Sequence, residues 1–124
     1  MGEITNKGIV AFIAAADQTD HEGYGVTLSG DTVAVAEAAN ADVVGVITDG
    51  AEVDDYTSVA LLGACAGSIH FKAGGAITAG KKLMLKADGT WDNALTGVCG
   101  GRALEDAAKD ELFRGCPLTP HAIA

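Results

Sequence analysis

Residues 71–91 read FKAGGAITAGKKLMLKADGTW, and this stretch indicates how the whole chain folds. Glycines and an Asp-Gly pair separate short runs rich in hydrophobic residues. Asp88-Gly89 lies between LMLK and TWDNAL, and an Asp-Gly pair between two such runs is a strong signal for a β-hairpin. The stretch therefore predicts short strands that are joined by tight turns.

The same stretch contains GAITAGKK, residues 75–82, which is one residue away from a phosphate-binding loop, G-x-x-x-x-G-K-[ST]. Such a loop holds phosphates with glycine amides and the N-terminus of the next helix, while its Ser or Thr holds magnesium. Lys82 stands at that Ser/Thr position, and the residues after it predict a strand. We interpret Gly74, Gly75 and Gly80 as turn residues and predict no cofactor and no enzyme, with a small nucleotide-using enzyme as the alternative.

Outward from this stretch, short apolar runs continue along the chain, and most of them end at Gly, Asp or Asn. Runs of this kind predict strands. ALEDAAKDELFR, residues 103–114, has the composition of a helix by propensity alone. The predicted strands before it cover residues 25–28, 32–36, 43–48, 55–62, 67–73 and 83–86.

An internal repeat favours a different interpretation of residues 103–114. Shifting the chain by 57 residues without a gap places residues 26–61 on residues 83–118, so that Val26 meets Leu83 and Asp31 meets Asp88. A duplicated strand–hairpin–strand unit would explain this pattern, and chance is the alternative, because two copies are a weak signal.

The repeat predicts a strand at residues 103–106, a turn at 107–111 with at most one short helical turn, and a strand at 112–118. The predicted fold is mainly β. Residues 1–20 are predicted to form an N-terminal arm and the first strand, and residues 21–124 a single β domain.

Composition excludes several classes of partner. The chain has 124 residues, and its net charge is −9, which repels phosphate backbones, so we predict no binding of nucleic acid. The longest apolar run, IVAFIAAA at residues 9–16, is too short to cross a bilayer, so we predict no membrane contact. Aromatic residues make up only 5% of the chain, which is a thin supply for a carbohydrate-binding face.

Three cysteines, an odd number, are typical of reduced thiols in a cytosolic protein. Cys65 and Cys116 each stand five residues before a histidine, His70 and His121. Residues i and i+5 of a strand point to opposite faces, so one strand cannot present such a pair to a metal ion. Tight Cys pairs of the kind that structural zinc sites use are absent, and we predict no metal site.

The run AGGAITAGKKLMLKADGTW, followed by GGRALEDAAKDELFRGCPL, resembles the capsid cement or head decoration proteins of tailed phages. The shared pattern consists of a Gly-Gly turn, a strand, an Asp-Gly turn, a second strand, G-x-A-L-E-D-A, an acidic turn and a last strand. It covers about the last 55 residues well and the middle of the chain loosely. Because it is built from turn glycines and alternating strands, it marks a fold more than a chemistry.

The resemblance implies a small β-sandwich or β-tulip barrel. It also implies a structural virion protein that is made in the host cytoplasm. It would bind the outer surface of an icosahedral phage head and cement neighbouring subunits of the major capsid protein after expansion. It would do so as a homotrimer. Another phage structural module, from the tail or baseplate, and a carbohydrate-binding domain are the alternatives.

Two parts of the chain are predicted to make these contacts. The start of the chain carries alternating apolar groups without a turn partner, and we expect it to form an arm that adds a strand to a sheet edge of the capsid. Trp91 is the single tryptophan and is predicted either to fill the core or, the role we favour, to anchor an interface. The arm residues predicted to make the contacts are Glu3, Ile4, Thr5, Asn6 and Lys7.

Overall fold

The structure is a computed structural model that describes residues 8–39, 41–63, 67–94 and 97–123. Within these ranges the chain is all β, and none of it forms a helix, which confirms the mainly-β prediction. None of the described residues could therefore cross a membrane as a helix. The strands are β1 (Ile9–Ala14), β2 (Gly25–Ser29), β3 (Thr32–Val35), β4 (Val43–Asp49), β5 (Tyr56–Leu61), β6 (Ile69–Lys72), β7 (Lys82–Leu85), β8 (Trp91–Asn93), β9 (Gly97–Ala103) and β10 (Leu112–Ile123).

The strands divide into two sets of five. β1 to β5, in the first half (residues 8–63), form a closed barrel in the order β1-β3-β2-β4-β5. β1 closes it by pairing antiparallel with β5 and parallel with β3. β6 to β10, in the second half (residues 67–123), form a sheet in the order β6-β10-β9-β7-β8. A single parallel bridge between Ala73 and Trp91 brings its two edges together.

The two halves repeat one topology. When 5 is added to each strand number, the barrel order β3-β2-β4-β5-β1 becomes β8-β7-β9-β10-β6, the order of the second sheet. Register repeats as well: Val26 pairs with Gly45 in the first half, and Leu83 pairs with Gly101 in the second. Both of these strand pairs have a register shift directly after that position, which is the mark of a β-bulge. The internal duplication is therefore visible in the backbone.

The duplication is not exact, and one strand predicted from it is displaced from the observed one. β2 corresponds to β7 at a shift of 57 (Val26 to Leu83), whereas β4 corresponds to β9 at a shift of 56 (Gly45 to Gly101). The ungapped comparison is therefore out of register by one residue after the turn, which accounts for only a small part of the difference. β9 spans Gly97–Ala103, upstream of the strand predicted at residues 103–106.

The last strand was predicted well, although it is longer than expected. β10 spans Leu112–Ile123, beyond the predicted end at residue 118. A register shift lies between Pro117 and His121 where β10 pairs with β9. Residues 103–114 connect β9 to β10, and these two strands pair with each other. This pairing overrides the helical propensity of the segment.

Both halves share the main hydrophobic core. It joins Val46 and Leu62 of the first half with the aromatic cluster of the second. Phe71 contacts Trp91 edge to face, with ring centroids 5.3 Å apart, and stacks on Phe113 at 6.0 Å. A smaller cluster inside the barrel is purely aliphatic among its buried residues: Val26, Val33, Ile47 and Val59. The second half therefore holds its core together with rings, and the barrel interior uses β-branched residues.

Candidate functional site

The proposed N-terminal arm joins the body at a defined position. Glu3, Ile4, Thr5, Asn6 and Lys7 lie outside the described residues. The described chain begins at Gly8, whose carbonyl accepts a hydrogen bond of 2.9 Å from the Leu61 amide. Ile9 then pairs with Ala60. The residues before Gly8 are therefore attached where β1 lies against β5.

A groove between the two halves lies beside this attachment point. Its polar rim includes the contact between His70 Nδ1 and Glu22 Oε2, at 3.2 Å. This pair is exposed on both sides, so water screens it and it adds little to stability. The lining residues are Ile9, Glu22, Thr48, Ser68, Ile69, His70 and Arg114.

Trp91 does not lie on a surface. Its side chain has no exposed area, and its Nε1–H donates a hydrogen bond of 3.1 Å to the carbonyl of Gly23. The favoured role as an interface anchor is therefore corrected in favour of the core role, because a fully buried indole has no surface to offer a partner. Its hydrogen bond crosses from the second half to the first.

The glycine-rich stretch forms turns, as the sequence predicted. The Lys81 amide donates to the Thr78 carbonyl at 3.2 Å, Gly80 has a positive φ of 86°, and β7 starts directly at Lys82. A Cβ on Gly75 would lie 2.8 Å from the Asp92 carboxylate. Because a strand follows the loop, no helix N-terminus faces the Gly75–Gly80 amides, and the geometry of a phosphate loop is missing.

The cysteines and histidines do not converge. Cys65 lies outside the described residues, Cys99 is buried and Cys116 is partly buried. His121 lies on the surface, with its Nε2 3.3 Å from Lys82 Nζ. In the part of the chain that the structure describes, no three His, Cys, Asp or Glu side chains come together as metal ligands.

The Asp88-Gly89 turn packs against the first half. Its Gly89 carbonyl accepts a hydrogen bond of 2.8 Å from the Gly25 amide. Burial alone raises the pKa of Asp88, but the hydroxyl and amide of Thr90 both donate to its carboxylate, and the net effect lowers the pKa. Desolvation raises the pKa of the neighbouring Tyr24 phenol, and the negative charge of Asp88 adds to that effect.

Charge separates the two halves sharply. Residues 8–63 carry no Lys or Arg, whereas residues 67–123 hold seven of the eight in the chain. The first half has ten carboxylates: Asp17, Asp20, Glu22, Asp31, Glu37, Asp42, Asp49, Glu52, Asp54 and Asp55. The second half has six: Asp88, Asp92, Glu105, Asp106, Asp110 and Glu111. The formal charges are therefore −10 and +1, so the acidity of the chain resides in the barrel.

Acidic residues gather at one end of the barrel, in the connection between β4 and β5. We call the exposed residues Asp49, Glu52, Val53, Asp55 and Tyr56 the acidic end. Val53 and Tyr56 are 53% and 50% exposed, so two large apolar groups stand among the carboxylates. The connection between β1 and β2 lies beside the acidic end, since the backbone amide of Gln18 donates a hydrogen bond of 2.8 Å to the Ala51 carbonyl. In that connection, hydrogen bonds from the Thr19 amide and hydroxyl lower the pKa of Asp17.

Basic residues gather where β7 begins, beside β9 and β10 of the second sheet. We call Lys81, Lys82, Arg102 and His121 the cationic face. Lys82 and Arg102 are direct cross-strand partners on β7 and β9. None of these groups forms an ion pair among the described residues, where the ion pairs are His70–Glu22 and Arg114–Glu105.

Sequence reasoning missed both surfaces. The difference in charge between the halves was readable from the sequence once the repeat was known. The pairing of Lys82 with Arg102 was not, because it depends on the register between two strands.

The fold defines a class of protein: a small all-β domain built from two five-stranded units of the same topology. Among solved structures, it is similar to the N base of the head fiber gp8.5 of bacteriophage phi29, with a TM-score of 0.64 and 18% sequence identity. The similarity covers 90% of this chain and 92% of that one. No protein-family model matches the chain. No curated protein matches it either.

Proposed function

We propose that this protein is a structural component of a phage virion that attaches to the outer surface of the head. The observation that carries the proposal is the similarity of fold, over nearly the full length of both chains, to the base of a phage head fiber. The resemblance of residues 73–118 to head decoration proteins points independently in the same direction. Adhesion to a shell needs no active site. The glycine-rich stretch at residues 75–82, whose sequence is similar to a phosphate-binding loop, forms turns.

The finer proposal is that the protein cements neighbouring subunits of the major capsid protein after expansion. We propose that it does so as a homotrimer, which assembles after synthesis in the host cytoplasm. Several weak contacts that act together would give a trimer high avidity on a lattice of repeated subunits. An acidic body suits this location, since an outer surface does not have to hold DNA.

Residues Glu3, Ile4, Thr5, Asn6 and Lys7 are proposed to make the shell contact as an added strand. Gly8, to which they are joined, lies where β1 meets β5, next to the groove that both halves line, and this position supports the proposal. A carbohydrate-binding role has less support, because Phe71, Trp91 and Phe113 are buried and unavailable for stacking on a sugar.

The test is a binding assay on purified, expanded heads that lack this protein. Wild-type protein should sediment with the heads, and a variant without residues 1–7 should lose binding while its circular dichroism spectrum stays that of a folded β protein. The matched control keeps the length and replaces residues 3–7 by alternating Gly and Ser. Failure of wild-type protein to bind would refute the function, whereas full occupancy by the deletion variant would refute only the role of the arm.

A further inference from the structure

We propose that copies of this chain associate head to tail, with the acidic end of one copy on the cationic face of the next. The inference deepens the proposed function, since it names the surfaces that would join the subunits of the homo-oligomer. The partner at each surface is a second copy of this chain, because the complementary charge is present on the chain itself.

The cationic face carries a charge arrangement that favours an anionic partner. Lys82 and Arg102 are opposite each other across two paired strands, where like charges destabilise a sheet. Lys82 also has its Nζ 3.3 Å from the imidazole of His121 and forms no ion pair with a carboxylate of the described residues. A surface that supplies carboxylates would relieve this repulsion.

The acidic end has the composition of such a partner. Asp49, Glu52 and Asp55 surround Val53 and Tyr56, which expose about half of their surface. Exposed aromatic and aliphatic groups in a charged setting are typical of the centre of an interface with a polar rim. Carboxylates would align the contact with the lysines, and the apolar groups would bury area.

Electrostatics also selects the orientation. A two-fold contact between barrels would bring two surfaces from halves of formal charge −10 together, and one between cationic faces would bring four lysines and two arginines together. Juxtaposed like charges disfavour both arrangements, and the contact of unlike ends is the one that remains. A contact between unlike surfaces is heterologous, and it closes into a ring when the rotation between copies permits.

Charge reversal with rescue tests the inference. Sedimentation velocity should show concentration-dependent association of wild-type protein that weakens as salt is raised. Lys81→Glu with Lys82→Glu, or Asp49→Lys with Glu52→Lys, should each raise the dissociation constant at least about tenfold. The chain that carries all four substitutions has complementary surfaces again and should regain association.

A matched control is Lys72→Glu with Lys109→Glu. It makes the same change in net charge within the second half, but on β6 and in the connection between β9 and β10, and its association should stay close to wild type. Circular dichroism of every variant separates loss of association from loss of folding.

Wild-type protein that stays monomeric at about 100 μM in low salt would overturn the inference, because a specific contact of micromolar affinity would be occupied there. A variant with all four substitutions that remains as dissociated as either double variant would also overturn the inference. Binding to heads is measured separately, so failure here leaves the proposed function standing, and failure to bind heads leaves the self-association result standing.

Discussion

The two halves of this molecule have the same strand topology and differ in the composition of their cores and in their charge. Their strand orders agree, and the bulge follows Val26 in one half and Leu83 in the other. The non-glycine residues with positive φ among those described are Asp54 and Asp110, at 67° and 72°. Their amides make matching hydrogen bonds, to Ala14 at 3.0 Å and to Ala73 at 2.9 Å. Turn chemistry and backbone pairing are therefore the parts of this duplicated fold that both copies retain.

Core composition is where the halves diverge. Gln18 and Thr57 form a buried polar pair in the barrel, with the Thr57 hydroxyl donating to Gln18 Oε1 at 2.9 Å. The equivalent residues in the second half are Ile77 and Phe113, since the amides of Gln18 and Ile77 bond to Ala51 and Ala107 at 2.8 Å each. The same strand topology thus accepts either a hydrogen-bonded pair of polar side chains or a pair of apolar side chains at equivalent positions.

The largest effect is expected from the residue that joins the halves. Trp91→Ala should lower the free energy of unfolding by about 3–5 kcal/mol, because it removes a fully buried ring and leaves a cavity. Val33 occupies the equivalent position beside Ala14 in the barrel, and Val33→Ala should cost about 2 kcal/mol, since it loses only two methyl groups. Urea unfolding followed by far-UV circular dichroism measures both, because Trp91→Ala removes the only tryptophan. Equal costs would contradict the view that the second half depends on its rings.

An intermediate effect is expected from the polar pair of the barrel. Thr57→Val should cost about 1–3 kcal/mol, because it leaves the buried Gln18 Oε1 and the Ala51 amide without their partner. The double variant Thr57→Val with Gln18→Leu should lose less unfolding free energy than the two single variants together, because the site then resembles its apolar counterpart in the second half. Thr27→Val on β2 is the control and should change stability by less than about 0.5 kcal/mol. Additive single effects would show that the pair is not coupled.

The smallest effect is expected from the two matching aspartates. Asp54→Ala and Asp110→Ala should each cost about 1 kcal/mol, because alanine is strained at positive φ. Asp54→Gly and Asp110→Gly should recover most of that cost, since glycine adopts this conformation freely. Thermal unfolding of the four variants, with Asp20→Ala as an exposed control, measures the difference. A cost at one position without the other would show that the two turns are not equivalent.

Local signals made most of the fold predictable. Asp88-Gly89 correctly predicted the hairpin of β7 and β8, and the glycines before Lys82 correctly predicted turns. The repeat correctly predicted strand over helix at Leu112–Leu118, whereas the strand that it predicted at residues 103–106 lies downstream of β9. Apolar and turn positions alone do not fix where a strand begins and ends, since many of these positions are similar.

The sequence by itself determined where the chain turns and that it forms strands, because Gly, Asp and alternating residues act over a few positions. It also determined the charge of each half. Tertiary structure alone decided that Trp91 is buried, that the first half closes while the second is joined by one bridge, and that Lys82 faces Arg102. These outcomes depend on register and packing between residues far apart in the chain, and no short stretch of sequence specifies which strands will meet.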